Sequence, residues 1–97
     1  MPERVTLQRL GDAVDRLNDV FGYPRDAYLE SHDDKGWLVA NAGTFTLDAA
    51  YGGYRLCQMC RGGGERDITG RDTARVTYDL IKAYTDGAMA MKRRQDA

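Results

Sequence analysis

The sequence has few of the residues from which catalytic and metal sites are usually built. Its 97 residues include one histidine and two cysteines, fewer ligands than a structural zinc site uses. No apolar run approaches the length that spans a bilayer, and the N-terminal segment lacks the basic and apolar regions of a signal peptide. We therefore expect a cytoplasmic protein that contacts no membrane and keeps both cysteines reduced.

Neither sign of charge is in large excess. The formal net charge is -1 and the isoelectric point is about 5.7, so there is no bulk attraction to nucleic acid or anionic lipid. Apolar residues make up 42% of the chain and charged residues 30%, which is close to an ordinary globular composition. We expect residues 1–97 to form one α+β domain.

Two segments have helical periodicity. Apolar residues recur at helical spacing from position 10 to position 21, which predicts a helix over residues 6–20 that ends at Gly22. A second helix is predicted to begin with Asp72 as its N-cap. The expected buried stripe of this second helix consists of Val76, Leu80, Ala83, Tyr84, Gly87 and Ala88.

The segment between the helices has the pattern of antiparallel strands. Residues 26–43 predict a short strand, a polar turn at 33–36 and a second strand at 37–40. Residues 44–60 alternate around Gly52 and Gly53, which predicts a hairpin with these glycines as its two-residue turn. The expected fold is thus an N-terminal helix, an antiparallel sheet of three to four strands and a C-terminal helix.

Alternation along the hairpin assigns its two faces. Phe45, Leu47 and Leu56 are predicted to face the core, whereas Asp48 and Arg55 lie diagonally opposite each other on the outer face. Cys57 and Cys60 are three residues apart on a strand, so their side chains point in different directions and cannot share a metal ion. We expect no metal and no cofactor.

A glycine-rich segment follows the hairpin. It lacks the spacing of a phosphate-binding loop and of a dinucleotide-binding loop, and it predicts a turned connection from the last strand to the second helix. Arginines beside glycines are suited to binding the carboxylates of an acidic partner through charge-assisted hydrogen bonds. The predicted partner-binding residues here are Arg55, Arg61, Gly62, Gly63, Gly64, Arg66 and Asp67.

Two further side chains are functional candidates. Trp37 is either a core aromatic, which its apolar strand favours, or an exposed anchor for a partner, and it completes the candidate partner-binding set. His32 lies in a polar segment where a solvated side chain is expected, and its neighbours supply no nucleophile and base that belong together. The sequence therefore favours a non-enzymatic protein.

Several stretches occur in an order that resembles one family. These are LNDVFGYP at 17–24, ANAGTFTLDAAYGGYRL at 40–56 and GGGERD at 62–67, followed by AYTDG in the closing helix. Together they resemble small accessory proteins of tailed phages and prophages. The chain departs from that pattern at Cys60 and Arg61, where family members often have Asn-Glu, and in a shorter stretch after Asp67.

The resemblance implies a phage or prophage protein that acts in the cytoplasm of the bacterial host. Proteins of this kind frequently bind and inhibit a host protein, such as a defence factor, and this is the first hypothesis. The alternative is a nucleic-acid-binding module that uses the arginines between 55 and 75, since the order of helix, strands and helix is similar to that of double-stranded RNA-binding domains.

Overall fold

The computed structural model describes residues 4–32 and 38–96. The elements are α1 (Leu7–Phe21), β1 (Tyr28–His32), β2 (Leu38–Ala40), β3 (Phe45–Ala50), β4 (Gly53–Met59), β5 (Glu65–Asp67) and α2 (Ala74–Asp96). The α+β class and the order of helix, strands and helix are confirmed. The polar turn predicted at 33–36 and Trp37 lie outside the described residues.

The described strands form two antiparallel sheets. β1 pairs with β2, and β3, β4 and β5 form a three-stranded sheet in that order. No strand pattern in the sequence predicts β5, whose three residues are all polar and exposed. The glycine-rich segment therefore connects β4 to β5, and the prediction that it leads directly from the last strand into the second helix was wrong.

The first helix follows its sequence pattern closely. The Thr6 hydroxyl accepts a hydrogen bond from the Arg9 amide at 3.2 Å, which satisfies one of the unpaired amides of the first turn. Gly22 ends the helix in the left-handed conformation with φ of 76°, which glycine adopts without steric cost. Leu10, Val14 and Leu17 are buried as predicted.

The central hairpin turns one residue earlier than predicted. Ala50 pairs with Gly53, so the turn residues are Tyr51 and Gly52, with φ of 54° and 73°, and Gly53 does not need a positive φ. This displacement moves every cross-strand partner by two positions and leaves each side chain on its predicted face. Asp48 and Arg55 consequently lie directly opposite each other rather than diagonally.

The second helix starts one residue later than predicted and packs through a different face. Thr73, not Asp72, caps it, because the Thr73 hydroxyl accepts from the Val76 amide at 3.2 Å. The buried face consists of Thr77, Ile81 and Thr85. The predicted stripe was wrong: Val76, Leu80, Ala83, Tyr84 and Gly87 are exposed, and Ala88 is half-buried.

Both helices pack on the face of the three-stranded sheet that carries Phe45 and Leu56. α1 contacts β3 and α2 contacts β4, while the two helices also contact each other. The buried core side chains are Val5, Leu10, Val14, Leu17, Phe45, Leu56 and Ile81. The opposite face of the sheet carries Asp48 and Arg55 together with two buried apolar side chains, Cys57 and Met59.

Candidate interaction site

The glycine turn between β4 and β5 has a defined backbone geometry. The Cys60 amide donates to the Gly64 carbonyl at 2.7 Å, and the Gly63 amide donates to the Cys60 carbonyl at 3.1 Å. Gly62 and Gly63 both have φ of 96°, a region that side-chain-bearing residues rarely adopt. The Tyr28 hydroxyl donates to the Gly63 carbonyl at 3.5 Å, so the two-stranded sheet lies beside this turn.

The glycine turn and the strand that follows it present two exposed arginines, Arg61 and Arg66. Arg66 is held in place by a hydrogen bond from its Nε to the Gln58 side-chain oxygen at 2.9 Å. Arg61 is exposed and forms no hydrogen bond or ion pair with the part of the chain that the structure describes. Arg61 is therefore available to a carboxylate or phosphate of a partner.

An ion-pair cluster occupies the outer face of the sheet near the hairpin turn at Tyr51 and Gly52. Asp48 Oδ2 accepts from Arg55 Nε at 2.7 Å and from Arg71 Nη2 at 2.8 Å. Arg55 Nη1 also lies 2.8 Å from Asp67 Oδ1. Two arginines and two aspartates compensate each other, so this cluster adds no net charge to the surface.

Hydrogen bonding within the cluster shifts the ionisation of its members. The bonds from Arg55 and then from Arg71 hold the pKa of Asp48 below its ordinary value of 3.8. The same contact with Asp48 raises the pKa of Arg55. Both shifts favour the charged forms, so Asp48 and Arg55 stay ionised at neutral pH.

Arg71 belongs to the cluster, whereas the sequence grouped it only with the arginines between 55 and 75 that a nucleic-acid-binding module would use. Its Nη1 donates to the Ala50 carbonyl at 2.8 Å and to the Gly53 carbonyl at 3.2 Å. Its guanidinium also lies 5.5 Å from the centre of the Tyr51 ring. Through these hydrogen bonds Arg71 connects the segment before α2 to the hairpin turn. It is 23 residues from Asp48, and no local pattern predicts a contact over that separation.

The two cysteines occupy different environments. Cys57 is fully buried in β4, and burial raises the pKa of its thiol to about 11. Cys60 follows the strand and is half-buried, and both thiols are free. Among the described residues, no group of three or more His, Cys, Asp or Glu side chains is arranged to hold a metal ion.

The structure brings most of the predicted partner-binding residues together. Residues 61–67 form the glycine turn and β5, and Arg55 joins them through its ion pair with Asp67. Arg55 is nevertheless neutralised by aspartates, so it differs from the exposed Arg61. Trp37 lies outside the described residues, and its role in the site stays a prediction.

Comparisons with family models, curated proteins and solved structures gave no significant match to this chain. The resemblance to phage and prophage proteins therefore stays a prediction. Within the described residues, neither helix combines the length and apolar character required to cross a membrane.

Proposed function

We propose that the protein is a non-enzymatic binding domain that grips an acidic surface of a host protein through its glycine turn. The observation that carries the proposal is the exposed Arg61 at a turn whose backbone is fixed by two internal hydrogen bonds. A charged side chain on an ordered turn loses less conformational freedom on binding than one on a disordered loop.

The neighbouring strand supports this location of the contact surface. β5 is an edge strand of the three-stranded sheet, and all three of its residues are exposed. Arg66 is oriented by Gln58, which leaves the guanidinium exposed while limiting its rotamers. Arg61 in the turn and Arg66 in β5 thus offer two exposed cations to acidic groups of a partner.

The arrangement of the other arginines weighs against nucleic acid as the partner. Arg55 and Arg71 pair with Asp48, and Arg75 lies 3.4 Å from Asp79. A phosphate backbone would have to compete with these carboxylates for each guanidinium. Of the arginines between 55 and 75, only Arg61 and Arg66 then lack a carboxylate partner in the described chain and are free to replace counterions on a phosphate backbone, the main source of affinity for nucleic acid.

The biological setting of the proposal comes from the resemblance described above. If the chain is a phage or prophage accessory protein, its partner is a protein of the bacterial host, and binding serves to inhibit that protein. A host defence factor is the partner class that the resemblance favours. Such inhibition needs only occupation of a surface, and no chemical step.

A capture experiment tests this function. The immobilised full chain is incubated with lysate of candidate bacterial hosts, and bound proteins are quantified by mass spectrometry for the wild type and for Arg61→Ala with Arg66→Ala. We expect a specific host protein to be retained by the wild type and depleted at least tenfold on the double variant, about the loss of 1.4 kcal/mol of binding energy.

The matched control is Arg4→Ala with Arg75→Ala, which removes two exposed arginines elsewhere and changes the net charge equally. This control should retain the host protein. A parallel gel-shift titration with DNA and RNA across a range of salt concentrations tests the alternative function, nucleic-acid binding. Submicromolar nucleic-acid binding that is lost in the Arg61 and Arg66 variant would overturn the proposal.

A further inference from the structure

The strand β5 is hydrogen-bonded to β4 along one side of its backbone. Arg66 lies directly opposite Gln58 in this antiparallel pair. The bonds that the Gly64 carbonyl accepts at 2.7 Å and the Ile68 amide donates at 2.9 Å fix the alternation of the ladder. In this alternation the backbone of Arg66 points toward β4, so the backbone groups of the residues on either side of it point away from the sheet.

Glu65 and Asp67 carry these outward-pointing groups. The amide and carbonyl of neither residue have a hydrogen-bond partner in the part of the chain that the structure describes. All three residues of β5 are exposed, whereas the helices pack on β3 and β4. Two amides and two carbonyls in strand geometry match an extended peptide segment, which can add to the sheet as a further strand.

The other edge of the sheet has cover that β5 lacks. α1 packs against β3. The Asn18 side chain also takes up the outward-pointing amide and carbonyl of Phe45, at 2.7 Å and 3.0 Å. The edge formed by β5 is therefore the more accessible one for an added strand.

The side chains of β5 disfavour a second copy of this chain as the added strand. In an antiparallel pair, residues with outward-pointing backbone groups lie opposite each other. Glu65 would then face Glu65 or Asp67 of the second copy, and in the latter register Arg66 would face Arg66. Like charges directly opposite each other destabilise a sheet, and charged residues on edge strands hinder self-association in this way.

We propose that β5 binds an extended segment of the partner protein as an antiparallel strand, with an acidic side chain opposite Arg66 and a basic side chain opposite Glu65. The inference rests on the proposed function and specifies which part of the partner binds. Arg66 lies at a non-hydrogen-bonded position relative to the added strand, where opposing side chains are closest. Its guanidinium, oriented by Gln58, then bonds to the carboxylate of the segment.

The charge opposite Asp67 matters less than the other two charges. Asp67 Oδ1 already lies 2.8 Å from Arg55 Nη1, so it is compensated within the chain. Glu65 forms no ion pair with the described residues. The segment that fits β5 therefore has adjacent basic and acidic side chains, which point to opposite faces of the extended sheet.

A seven-residue peptide with capped ends tests the proposal, with Lys-Glu-Lys at its centre and threonine and valine on both sides. It is titrated into the isotope-labelled full chain, and binding is followed by the amide signals of β5 in nuclear magnetic resonance spectra. We expect the signals of Glu65 and Asp67 to shift. N-methylation of both lysines should abolish the shifts, because it removes the amides that face β5, whereas N-methylation of the central glutamate should preserve them.

A double-mutant cycle tests the pair at Arg66. Arg66→Gln should raise the dissociation constant of the Lys-Glu-Lys peptide about tenfold. The same variant should have little effect on a Lys-Gln-Lys peptide, which lacks the carboxylate. Arg75→Gln is the matched control, because it removes the same charge from a residue in α2, and it should leave both constants unchanged.

Glu65→Pro separates the backbone contribution from that of the side chain. Proline removes one outward-pointing amide, while the backbone groups of Arg66 remain paired with β4. This variant should bind the Lys-Glu-Lys peptide more weakly than Glu65→Ala does, and slow hydrogen exchange at the Arg66 amide should show that β5 is retained.

Failure of the Lys-Glu-Lys peptide to bind, or binding that tolerates methylation of both lysines, overturns the inference. Host-protein capture that depends on Arg61 and Arg66 without any peptide binding would uphold the proposed function and reject strand addition. Peptide binding with the expected methylation pattern, in a chain that captures no host protein, would support strand addition at β5 and reject the proposed function.

Discussion

The Asn18 side chain pairs with the backbone of Phe45 in the manner of a neighbouring strand. Its Nδ2 donates to the Phe45 carbonyl at 3.0 Å, and its Oδ1 accepts from the Phe45 amide at 2.7 Å. Both residues are buried at the junction of α1 and β3. The side chain thus satisfies two backbone groups at the sheet edge and fixes α1 against the start of β3.

Asn18→Ala should lower the free energy of unfolding by about 2–4 kcal/mol, because it leaves a buried amide and a buried carbonyl without partners. Urea denaturation followed by circular dichroism measures the loss. Asn41→Ala is the control, since Asn41 donates to the Asp26 carbonyl at 2.8 Å in an exposed setting. Equal losses for the two variants would show that the pairing with Phe45 is not a main source of stability.

Gly52→Ala should destabilise the protein by about 1 kcal/mol, because Gly52 has φ of 73° and a Cβ is disfavoured there even where space is open. Gly64→Ala should be close to neutral, since Gly64 is equally open but does not have a positive φ. The difference between the two thermal midpoints measures the backbone effect. If Gly64→Ala proves the more damaging substitution, the turn does not lie at Tyr51 and Gly52.

Asp48→Asn should lower the thermal midpoint at pH 7 and have less effect in acid. The folded pKa of Asp48 lies below its ordinary value of 3.8, so its carboxylate contributes stability above that pH. The contribution disappears as pH falls from 3.8 through the folded pKa. The wild type should therefore lose its advantage over Asp48→Asn as the buffer is taken below about pH 4.

Asp79→Asn is the control for this pH series, because Asp79 pairs with one arginine at 3.4 Å on an exposed helix face. Exposed pairs of this kind contribute little to stability. A difference between wild type and Asp48→Asn that stays constant from pH 7 to pH 3 would contradict the stabilising role of the Asp48 cluster.

The two thiols should react at very different rates in the folded protein. Cys57 is buried and its pKa is raised to about 11, so it forms little of the thiolate that attacks alkylating agents. Cys60 is half-buried at the end of the strand. Iodoacetamide at pH 8 should modify one cysteine per chain, which peptide mass spectrometry should assign to Cys60.

Cys60→Ser should abolish the fast alkylation, and unfolding in urea should expose Cys57 to the reagent. Modification of Cys57 in the folded protein at the rate seen for Cys60 would mean that β4 opens readily or that the thiol is not buried.

Local sequence determined the parts of the fold that depend on short-range geometry. Helical spacing of apolar residues predicted α1, and Gly22 predicted its end, because a left-handed terminal residue is nearly always glycine. Alternation predicted the two faces of the hairpin, since a turn displaced by one residue leaves every side chain on its original face.

The exact hairpin register depended on tertiary contacts. Gly52-Gly53 and Tyr51-Gly52 are both possible turns by sequence, and Arg71 stabilises the second by donating to carbonyls on both sides of it. β5 could not be predicted from the sequence either. Its residues are Glu65, Arg66 and Asp67, and they do not show the alternation of apolar and polar residues that marks a strand. The tight glycine turn, which folds this segment back onto β4, creates the strand.

The orientation of α2 is the clearest case in which tertiary structure overrode the sequence pattern. Val76, Leu80 and Tyr84 form the more apolar stripe, yet the helix buries Thr77, Ile81 and Thr85. The Thr77 hydroxyl donates to the Tyr54 carbonyl at 3.1 Å, and the Thr85 hydroxyl donates to the Ile81 carbonyl at 2.8 Å. Satisfied hydroxyls on small side chains can be buried at little cost and let α2 approach the sheet closely, which leaves the more apolar stripe exposed.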